Sequence, residues 1–422
     1  MRTRRFEWEG AARTAAALRE WAAEAAPAVD VGPIEREVRE GGDEAVLRLT
    51  AKFDATEAPP SLLEVDPSEA VEALTGLESD LRTAMETAVA NIRRVAELQM
   101  GEERQVELPA GQKVTLREVA VGAAGIYAPG GRAAYPSSVL MCAIPAQVAG
   151  VGRVALASPP GPKGRLHPLV LAAAALCEIE EIYAMGGAQA IFALAYGTET
   201  IEPVDVIAGP GNAWVREAKR AVYGQVGIDS LAGPSELMLI GGHDTDPRWA
   251  ALDLCAQAEH GPESPLVVAA VEEQVIEAVA AAAEDVAASR PSVADAPLAL
   301  VQVDEVEAAI ELANAYAPEH LELLETDAAP MADRVRTAGC VFVGRNGATA
   351  FGDYAAGSNH VLPTGGAGRY AGPLGPGVFC RRISQVELSE AAAARLAPHV
   401  DALARAEGFP VHGESAMIRS RP

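Results

Sequence analysis

A repeated succession of apolar strand, turn of small residues and helix is the feature that most constrains the fold. Expected strands after residue 131 lie at 154–157, 181–185 and 204–208, with turns at 158–161, 186–189 and 209–212. This alternation is typical of a parallel α/β sheet. Because loops at the carboxyl ends of parallel strands line the ligand crevice, we expect the three turns to converge.

A second alternating series predicts another sheet of the same kind. Its expected strands lie at 237–240, 265–270, 298–303, 321–324 and 341–343. The flanking regions differ from this pattern, since the first hundred residues indicate helices, with Asp66 as an N-cap. Residues 106–108 and 114–121 predict a hairpin, and a helix is expected from Ser389 to Glu407 before Gly408.

Length and charge limit the classes of function. A chain of 422 residues is too long for one compact core, so we expect about two to four units. The net charge of -25 repels phosphate backbones and anionic lipids, which argues against nucleic-acid and membrane partners. Local basic groups could still hold a dinucleotide. The start of the chain lacks the apolar core of a signal peptide, and we expect a cytoplasmic protein.

The cysteines do not indicate a disulfide framework. Their number is odd and they lie far apart in the chain, at Cys142, Cys177, Cys255, Cys340 and Cys380. Buried, reduced thiols are the favoured interpretation over disulfides or a CxxC metal site.

The usual dinucleotide and mononucleotide fingerprints are missing. Neither GxGxxG nor GxxxxGK[ST] occurs among the 39 glycines, so an ordinary Rossmann site is not indicated. The turn GPGN at 209–212 precedes an expected helix and could offer backbone N–H groups to an anion. By itself this signal is weak, since Gly/Pro turns more often have only a geometric role.

Two histidine-bearing segments are candidates for chemistry. Gln257 and His260 lie three residues apart at the end of a helix that starts after Asp246, so they share a face. Zinc binding is one interpretation, but a C-terminal cap is the more frequent role of such a pair. Glu319 and His320 are adjacent proton-transfer groups before a strand, whereas the alternative is solvated surface.

Seven segments in the same order resemble the histidinol dehydrogenase family over nearly the whole chain. They are YAPGG at 127–131, GGAQAI at 186–191, GPGN at 209–212, AGPSE at 232–236, QAEHGP at 257–262, YAPEH at 316–320 and GDYAAGSNHVLP at 352–363. Each is modest alone, and together they are specific.

The resemblance implies one zinc ion per subunit and a set of binding residues. Its implied ligands are Gln257, His260, Asp353 and His412, a mixed O/N donor set suited to zinc. Substrate nitrogens would bind the same ion, which acts as a template that orients the substrate. The implied substrate contacts are Ser235, Gln257, His260, His320, Asp353, His360, Glu407 and His412.

The implied reaction is the NAD-dependent oxidation of L-histidinol through an aldehyde to L-histidine. His320 would take the alcohol proton, and Glu319 would activate water to hydrate the bound aldehyde. Two NAD molecules would be used in sequence while the aldehyde stays bound. The implied NAD contacts are Tyr127, Gln189 and Asn212.

The same resemblance implies an α/β fold of two incomplete Rossmann-like parallel-sheet domains with small helical N- and C-terminal segments. The implied division is an N-terminal helical segment at 1–25, a catalytic domain at 26–126 plus 235–374, an NAD-binding domain at 127–234 and a dimerisation segment at 375–422. The implied assembly is a homodimer, in which Glu407 and His412 complete the partner's active site.

Three other hypotheses remain open on the sequence. A related dehydrogenase could act on another small alcohol such as a sulfopropanediol, although Glu407 and His412 argue against it. A zinc hydrolase would need no NAD, and a structural protein would need neither Glu319 nor His320. Some relatives carry Cys where Ala157 lies, so this chain offers no support for a nucleophilic thiol at that strand end.

Overall fold

A computed structural model describes residues 1–23, 29–54, 57–130, 133–325 and 328–420. Its strands are β1 Arg2–Phe6, β2 Arg104–Glu107, β3 Lys113–Ala120, β4 Ala123–Tyr127, β5 Arg153–Ser158, β6 Glu181–Ala184, β7 Val206–Ala208, β8 Gly227–Ile228, β9 Leu237–Gly241, β10 Leu266–Ala270, β11 Pro297–Gln302, β12 His320–Leu323, β13 Cys340–Val343 and β14 Cys380–Glu387.

The helices alternate with the strands through most of the chain. They are α1 Ala11–Ala23, α2 Gly32–Phe53, α3 Pro67–Thr75, α4 Ser79–Gln99, α5 Pro136–Ala149, α6 Pro168–Leu176, α7 Gly187–Tyr196, α8 Ala213–Val222, α9 Pro247–Ala258, α10 Glu273–Ala288, α11 Val306–Tyr316, α12 Ala329–Ala332, α13 Thr349–Tyr354, α14 Glu390–Ala406 and α15 Pro410–Ile418. Within the described ranges, none is long and apolar enough to cross a bilayer.

The first parallel sheet has six strands in the order β1-β11-β10-β9-β12-β13. Side chains of β9 alternate between its faces. Leu237 and Leu239 pack with α9 and α10, whereas Met238 and Ile240 pack with α1 and α11. Burial on both faces explains why the strand is a continuous apolar run, as is usual in parallel sheets.

The second parallel sheet has five strands in the order β6-β5-β4-β7-β8. Helices α5 and α6 cover one face, while α7 and α8 cover the other. The N-terminal helices add an outer layer, since α2 packs on α7, α3 on α6 and α4 on α5. The two predicted α/β sheets are therefore confirmed.

The sequence predicted two of the three strands in a third, antiparallel sheet. The hairpin of β2 and β3 is confirmed, but β14 also pairs with β3, from Cys380 opposite Ala120 to Glu387 opposite Lys113. Strand β14 leads into α14, which begins at the N-cap Ser389, and then into α15, which packs on α14. The C-terminal segment is thus attached to the body through this sheet.

The expectation of a wholly helical first hundred residues is wrong at residues 2–6. These residues form β1, whose register with β11 runs from Arg2 opposite Pro297 to Phe6 opposite Val301. Five residues with three arginines carry no hydrophobic periodicity, so only pairing with a distant strand makes them a strand. The Asp66 cap is confirmed, because its side chain accepts from Ser68 N.

The expected division into domains stays a prediction. Strand β4 at 123–127 crosses the expected boundary between 126 and 127, and β1 lies within the segment expected to be helical at 1–25. The expected boundary between residues 25 and 26 and the last residue of the YAPGG segment, Gly131, lie outside the described residues.

Candidate active site

Glu319 and His320 lie where α11 gives way to β12. The helix ends at Tyr316, and Ala317 takes a left-handed backbone conformation with φ of 51°, after which Pro318 prevents further helix. His320 is the first residue of β12. Both side chains are buried, at 5% and 2% exposure, so the alternative of a solvated surface pair is wrong.

Glu236, at the amino end of the neighbouring strand β9, holds this pair in place. Its backbone N–H donates to Glu319 Oε2 at 2.7 Å, and its Oε1 accepts from Glu319 N at 3.2 Å. Its carbonyl oxygen lies 3.2 Å from both His320 N and His320 Nδ1. No spacing or motif marked Glu236 as a site residue, although it is the last residue of the AGPSE segment.

Gln257 lies in the last turn of α9, and Ser235 connects it to Glu319. The amide Nε2 of Gln257 donates to Ser235 Oγ at 2.5 Å, and that hydroxyl donates to Glu319 Oε2 at 2.5 Å. Gln257 Oε1 is buried and has no hydrogen-bond partner among the described residues. A buried acceptor without a donor is costly, so this oxygen is suited to an electron-pair acceptor such as a metal ion.

Asp353 lies between two histidines from different elements. One carboxylate oxygen is 3.9 Å from His260 Nε2, and the other is 3.7 Å from His320 Nε2. His260 follows α9, and its side chain is 39% exposed. Its backbone N–H donates to Gln257 O, which continues the turn of the helix by one residue pair beyond Ala258.

His360 lies behind Asp353. Its Nδ1 is 2.9 Å from the Asp353 carbonyl oxygen, and its Nε2 is 3.4 Å from Ser138 Oγ of α5. Helix α5 covers the five-stranded sheet, so this contact joins the two parallel-sheet regions at the site. Seven side chains from four segments thus surround one space: Ser235, Gln257, His260, Glu319, His320, Asp353 and His360.

Burial and neighbouring charges shift the pKa values of His320, Asp353 and His360. Burial opposes a charged His320, but the charge of Glu319, its hydrogen bond and Asp353 together raise the pKa to about 9. Burial likewise opposes an ionised Asp353, yet the His260 hydrogen bond and the nearby imidazoles hold its pKa below the usual range. Burial lowers the pKa of His360.

A second pair of carboxyl groups, Asp253 and Glu322, lies near the site and was not anticipated. Glu322 is two residues after His320 on the same face of β12, and its Oε1 accepts from Thr349 N at the start of α13. Its Oε2 has no partner among the described residues. Burial and then the charge of Asp253, from α9, raise the pKa of Glu322. No sequence signal marked this pair.

Glu407 and His412 lie apart from these groups. Glu407 caps the end of α14, and both residues are exposed. The His412 ring lies 5.5 Å from that of Phe409. Within the described ranges, the backbone hydrogen bonds of both residues stay inside the C-terminal helices, and no cluster of three or more His, Cys, Asp or Glu side chains has metal-ligand spacing.

A cavity of about 850 Å³ opens at the carboxyl end of the five-stranded sheet. All three predicted turns line it, so their expected convergence is confirmed. The three residues expected to contact NAD lie on its wall: Tyr127, Gln189 and Asn212. Asp54, from the end of α2, also lines the wall, and its Oδ2 accepts from Gln189 Nε2 at 3.2 Å.

The turn at Gly209, which leads into the cavity wall, requires a glycine. Gly209 has φ of 126°, and a Cβ there would lie 2.0 Å from the Tyr127 carbonyl oxygen. The buried Lys219 side chain donates to Gly209 O at 2.9 Å and pairs with Asp229. Asn212 then caps α8 by accepting from Trp214 N and Val215 N.

The comparisons with known proteins agree with one another. The family model for histidinol dehydrogenase matches residues 19–420. A histidinol dehydrogenase of Zymomonas mobilis is 43% identical over 397 residues, which cover 92% of each chain. One from Aromatoleum aromaticum is 45% identical over 397 residues, covering 92% of this chain and 90% of the relative.

The fold agrees as well. A crystal structure of histidinol dehydrogenase from Elizabethkingia anophelis superposes with a TM-score of 0.91 at 31% identity, covering 99% of this chain and 98% of that one. Sequence and structure together show that the chain belongs to the histidinol dehydrogenase family.

Proposed function

We propose that this protein oxidises L-histidinol through histidinaldehyde to L-histidine with NAD, completing histidine biosynthesis. One observation carries the proposal. The buried Glu319–His320 pair lies directly beside three groups that could hold an amino alcohol on a metal ion: Gln257, His260 and Asp353. A base and a water-activating carboxylate next to a substrate-orienting centre suit a two-step oxidation.

The residues present fit a zinc ion. Gln257 Oε1 is a buried acceptor without a donor, and the His260 and Asp353 side chains face each other across 3.9 Å. Oxygen and imidazole nitrogen are common zinc ligands. We propose one zinc ion per subunit, held by these three groups and His412 of the partner subunit. Bound zinc supplies an electrophilic centre that orients the imidazole and amino nitrogens of the substrate.

His320 is placed to act as the base. Its Nδ1 faces the Glu236 carbonyl at 3.2 Å, an acceptor that favours the N–H tautomer at Nδ1. Nε2 then faces Asp353 and the site with its lone pair. Cation binding at Asp353 would offset a charge that raises the pKa of His320, which favours the neutral imidazole needed to accept the alcohol proton.

Glu319 is placed to activate the water that hydrates the aldehyde. Its two hydrogen bonds from Ser235 and Glu236 both go to Oε2. This arrangement fixes the carboxylate and makes Oε1 the oxygen that would draw a proton from the water. Hydration turns the aldehyde into a gem-diol whose one remaining C–H hydrogen can leave as hydride, so each histidinol would reduce two NAD molecules. Enclosure in a site surrounded by buried residues protects the aldehyde between the steps.

NAD is proposed to bind in the cavity of about 850 Å³, whose size suits a small-molecule cofactor. Its expected contacts are Tyr127, Gln189 and Asn212. These groups lie at or just after the carboxyl ends of β4, β6 and β7, at the edge where parallel sheets bind nucleotides. Bound there, NAD would supply the hydride acceptor for both oxidation steps.

A homodimer is proposed because Glu407 and His412 lie apart from the site of their own chain and would have to come from a partner. The C-terminal segment also exposes large apolar side chains that a partner would cover: Val386, Leu388, Leu403, Phe409, Val411 and Ile418. A cytoplasmic location is part of the same proposal and is supported by the free state of all five cysteines.

The direct test is an assay of the purified, zinc-loaded protein with L-histidinol and NAD. We expect two equivalents of NADH for each histidine formed, with histidine measured by chromatography. Absence of both products would overturn the proposal. Oxidation of another alcohol such as a sulfopropanediol is not favoured, because the relatives above are all histidinol dehydrogenases. A substrate panel in the same assay compares the two.

A further inference from the structure

An ion pair from the N-terminal helix lies directly behind the Glu319–His320 pair. Arg19 of α1 donates to Glu236 through Nη1 at 2.5 Å and through Nη2 at 3.0 Å. Glu236 is 2% exposed, so this is a buried, two-point contact between groups 217 residues apart in the chain. Bidentate Arg–carboxylate pairs fix direction as well as distance.

The same guanidinium also holds the end of α11. It donates to the carbonyl oxygens of Tyr316 and Ala317, at 2.5 and 3.0 Å from Nη2, and its carbon lies 3.6 Å from the centre of the Tyr316 ring. Tyr316 in turn donates its hydroxyl to Glu236 Oε2 at 3.2 Å. Arg19 therefore joins the residues immediately before Glu319 to the carboxylate of Glu236.

Glu236, held by Arg19, in turn contacts both catalytic residues. Its backbone N–H fixes Glu319 Oε2, its Oε1 accepts from Glu319 N, and its carbonyl faces His320 Nδ1. The carboxylate has a further donor in Gly365 N at 3.2 Å. Loss of the arginine would leave a buried carboxylate whose charge is no longer balanced, and such groups shift or take up a proton.

We propose that Arg19 and Glu236 are positioning residues that set the His320 tautomer and the orientation of the Glu319 carboxylate. The inference rests on the proposed function of Glu319 and His320. Neither Arg19 nor Glu236 touches the substrate in this proposal, because both act through the backbone and side chains of the pair. Arg19 lies on α1, a helix that only the tertiary fold brings close to Glu236.

The test compares Arg19→Met, which keeps the apolar stem, with Arg19→Lys, which keeps the charge. Misplacement of catalytic groups by about 1 Å costs up to about 100-fold in rate, so we expect Arg19→Met to lower kcat by about 10- to 100-fold. We expect KM for histidinol, zinc content and NAD affinity to change by less than about threefold, since no binding group is removed. Arg19→Lys should recover part of the lost kcat. Arg13→Met, at an exposed position of the same helix, is the matched control.

A spectroscopic measurement separates positioning from folding and from the activity itself. In ¹⁵N-histidine-labelled protein, the His320 signals, assigned with His320→Asn, report which ring nitrogen carries the proton. In the zinc-loaded protein, at a pH where the His320 ring is neutral, we expect the Nδ1–H form in the native protein and a mixture of tautomers in Arg19→Met. If that variant fails to fold, Arg19→Met/Glu236→Gln removes the unbalanced charge and takes its place.

Two results would overturn the inference. One is native kcat in a folded Arg19→Met protein, and the other is an unchanged His320 tautomer in that protein. Inactivity of the native protein toward histidinol would instead overturn the proposed function, while the ¹⁵N measurement would still decide the role of Arg19.

Discussion

Ser235 accepts a hydrogen bond from Gln257 Nε2 at 2.5 Å, and this single contact determines which way the buried Gln257 amide points. With Nε2 occupied, Oε1 is left buried without a hydrogen-bond partner among the described residues. Groups that orient metal ligands commonly influence metal affinity almost as much as the ligands do.

Ser235→Ala is therefore expected to weaken zinc binding. Loss of the hydroxyl lets the amide rotate, and we expect the zinc affinity to fall by about 10- to 100-fold. Competition with a chromophoric chelator measures the affinity directly. Ser289→Ala, at an exposed position after α10, is the control and should bind zinc as the native protein does. Native affinity in Ser235→Ala would contradict the role of Gln257 as a ligand.

Substitutions at Glu319 and His320 are expected to slow different steps of the reaction. His320→Asn should lower the rate of histidinol oxidation by about 10²- to 10⁴-fold, since the alcohol proton loses its acceptor. Glu319→Gln should slow conversion of histidinaldehyde to histidine more than it slows alcohol oxidation. NADH formation from each substrate separately gives the two rates.

His243→Asn is the control for this pair of variants, because His243 lies exposed in the turn after β9. Equal losses in both steps for Glu319→Gln would contradict its assignment to water activation.

Subunit complementation is expected if His412 acts across the dimer interface. His260→Asn and His412→Asn homodimers should each be nearly inactive. After the two are unfolded and refolded together, mixed dimers contain one site with both native histidines, so about a quarter of native activity should return. Activity that does not return on mixing, with mixed dimers shown by mass spectrometry, would place His412 outside the partner's site.

Asp54→Asn is expected to stabilise the protein without bound ligand at neutral pH. Burial raises the pKa of Asp54 from 3.8 to about 6, so the folded state prefers the neutral carboxyl group. The native protein therefore loses stability as the pH rises from about 4 to about 6, whereas below about pH 4 the group is neutral in both states and costs nothing.

Above about pH 7 we expect the Asn variant to gain about 1–2 kcal/mol in the free energy of unfolding, after allowance for partial exposure. Urea unfolding across this pH range measures the difference. Glu44→Gln, exposed on the same helix, should show little change at any pH. A gain for Asp54→Asn that is as large at pH 4 as at pH 8 would rule out ionisation as the cause.

Gly209→Ala is expected to damage the cofactor cavity. Its Cβ would lie 2.0 Å from Tyr127 O at a φ of 126°, so the turn must move. We expect a loss of more than about 2 kcal/mol in stability together with weaker NAD binding. Gly224→Ala separates the two causes, because φ there is 102° but no atom lies within 4 Å. Calorimetric titration with NAD and thermal unfolding of both variants provide the comparison.

Much of the fold could be predicted from local patterns. Continuous apolar runs marked β9 and β10, and the caps Asp66 and Asp246 marked the starts of α3 and α9. These signals are local, because a strand buried on both faces and a helix cap each depend on a few neighbouring residues. Strands β1 and β14 escaped prediction because pairing with a distant partner, and not their composition, makes them strands.

The candidate site divides in the same way. The sequence by itself determined the reactive side chains, since residues such as Glu319, His320 and Gln257 stand in segments whose order identifies the family. Only the tertiary structure decided how they meet: Gln257 donates to Ser235 and leaves its Oε1 without a partner among the described residues, and Arg19 reaches Glu236 across 217 residues of sequence. Local periodicity fixes which residues share a face of one element, whereas contacts between elements depend on packing that no single segment encodes.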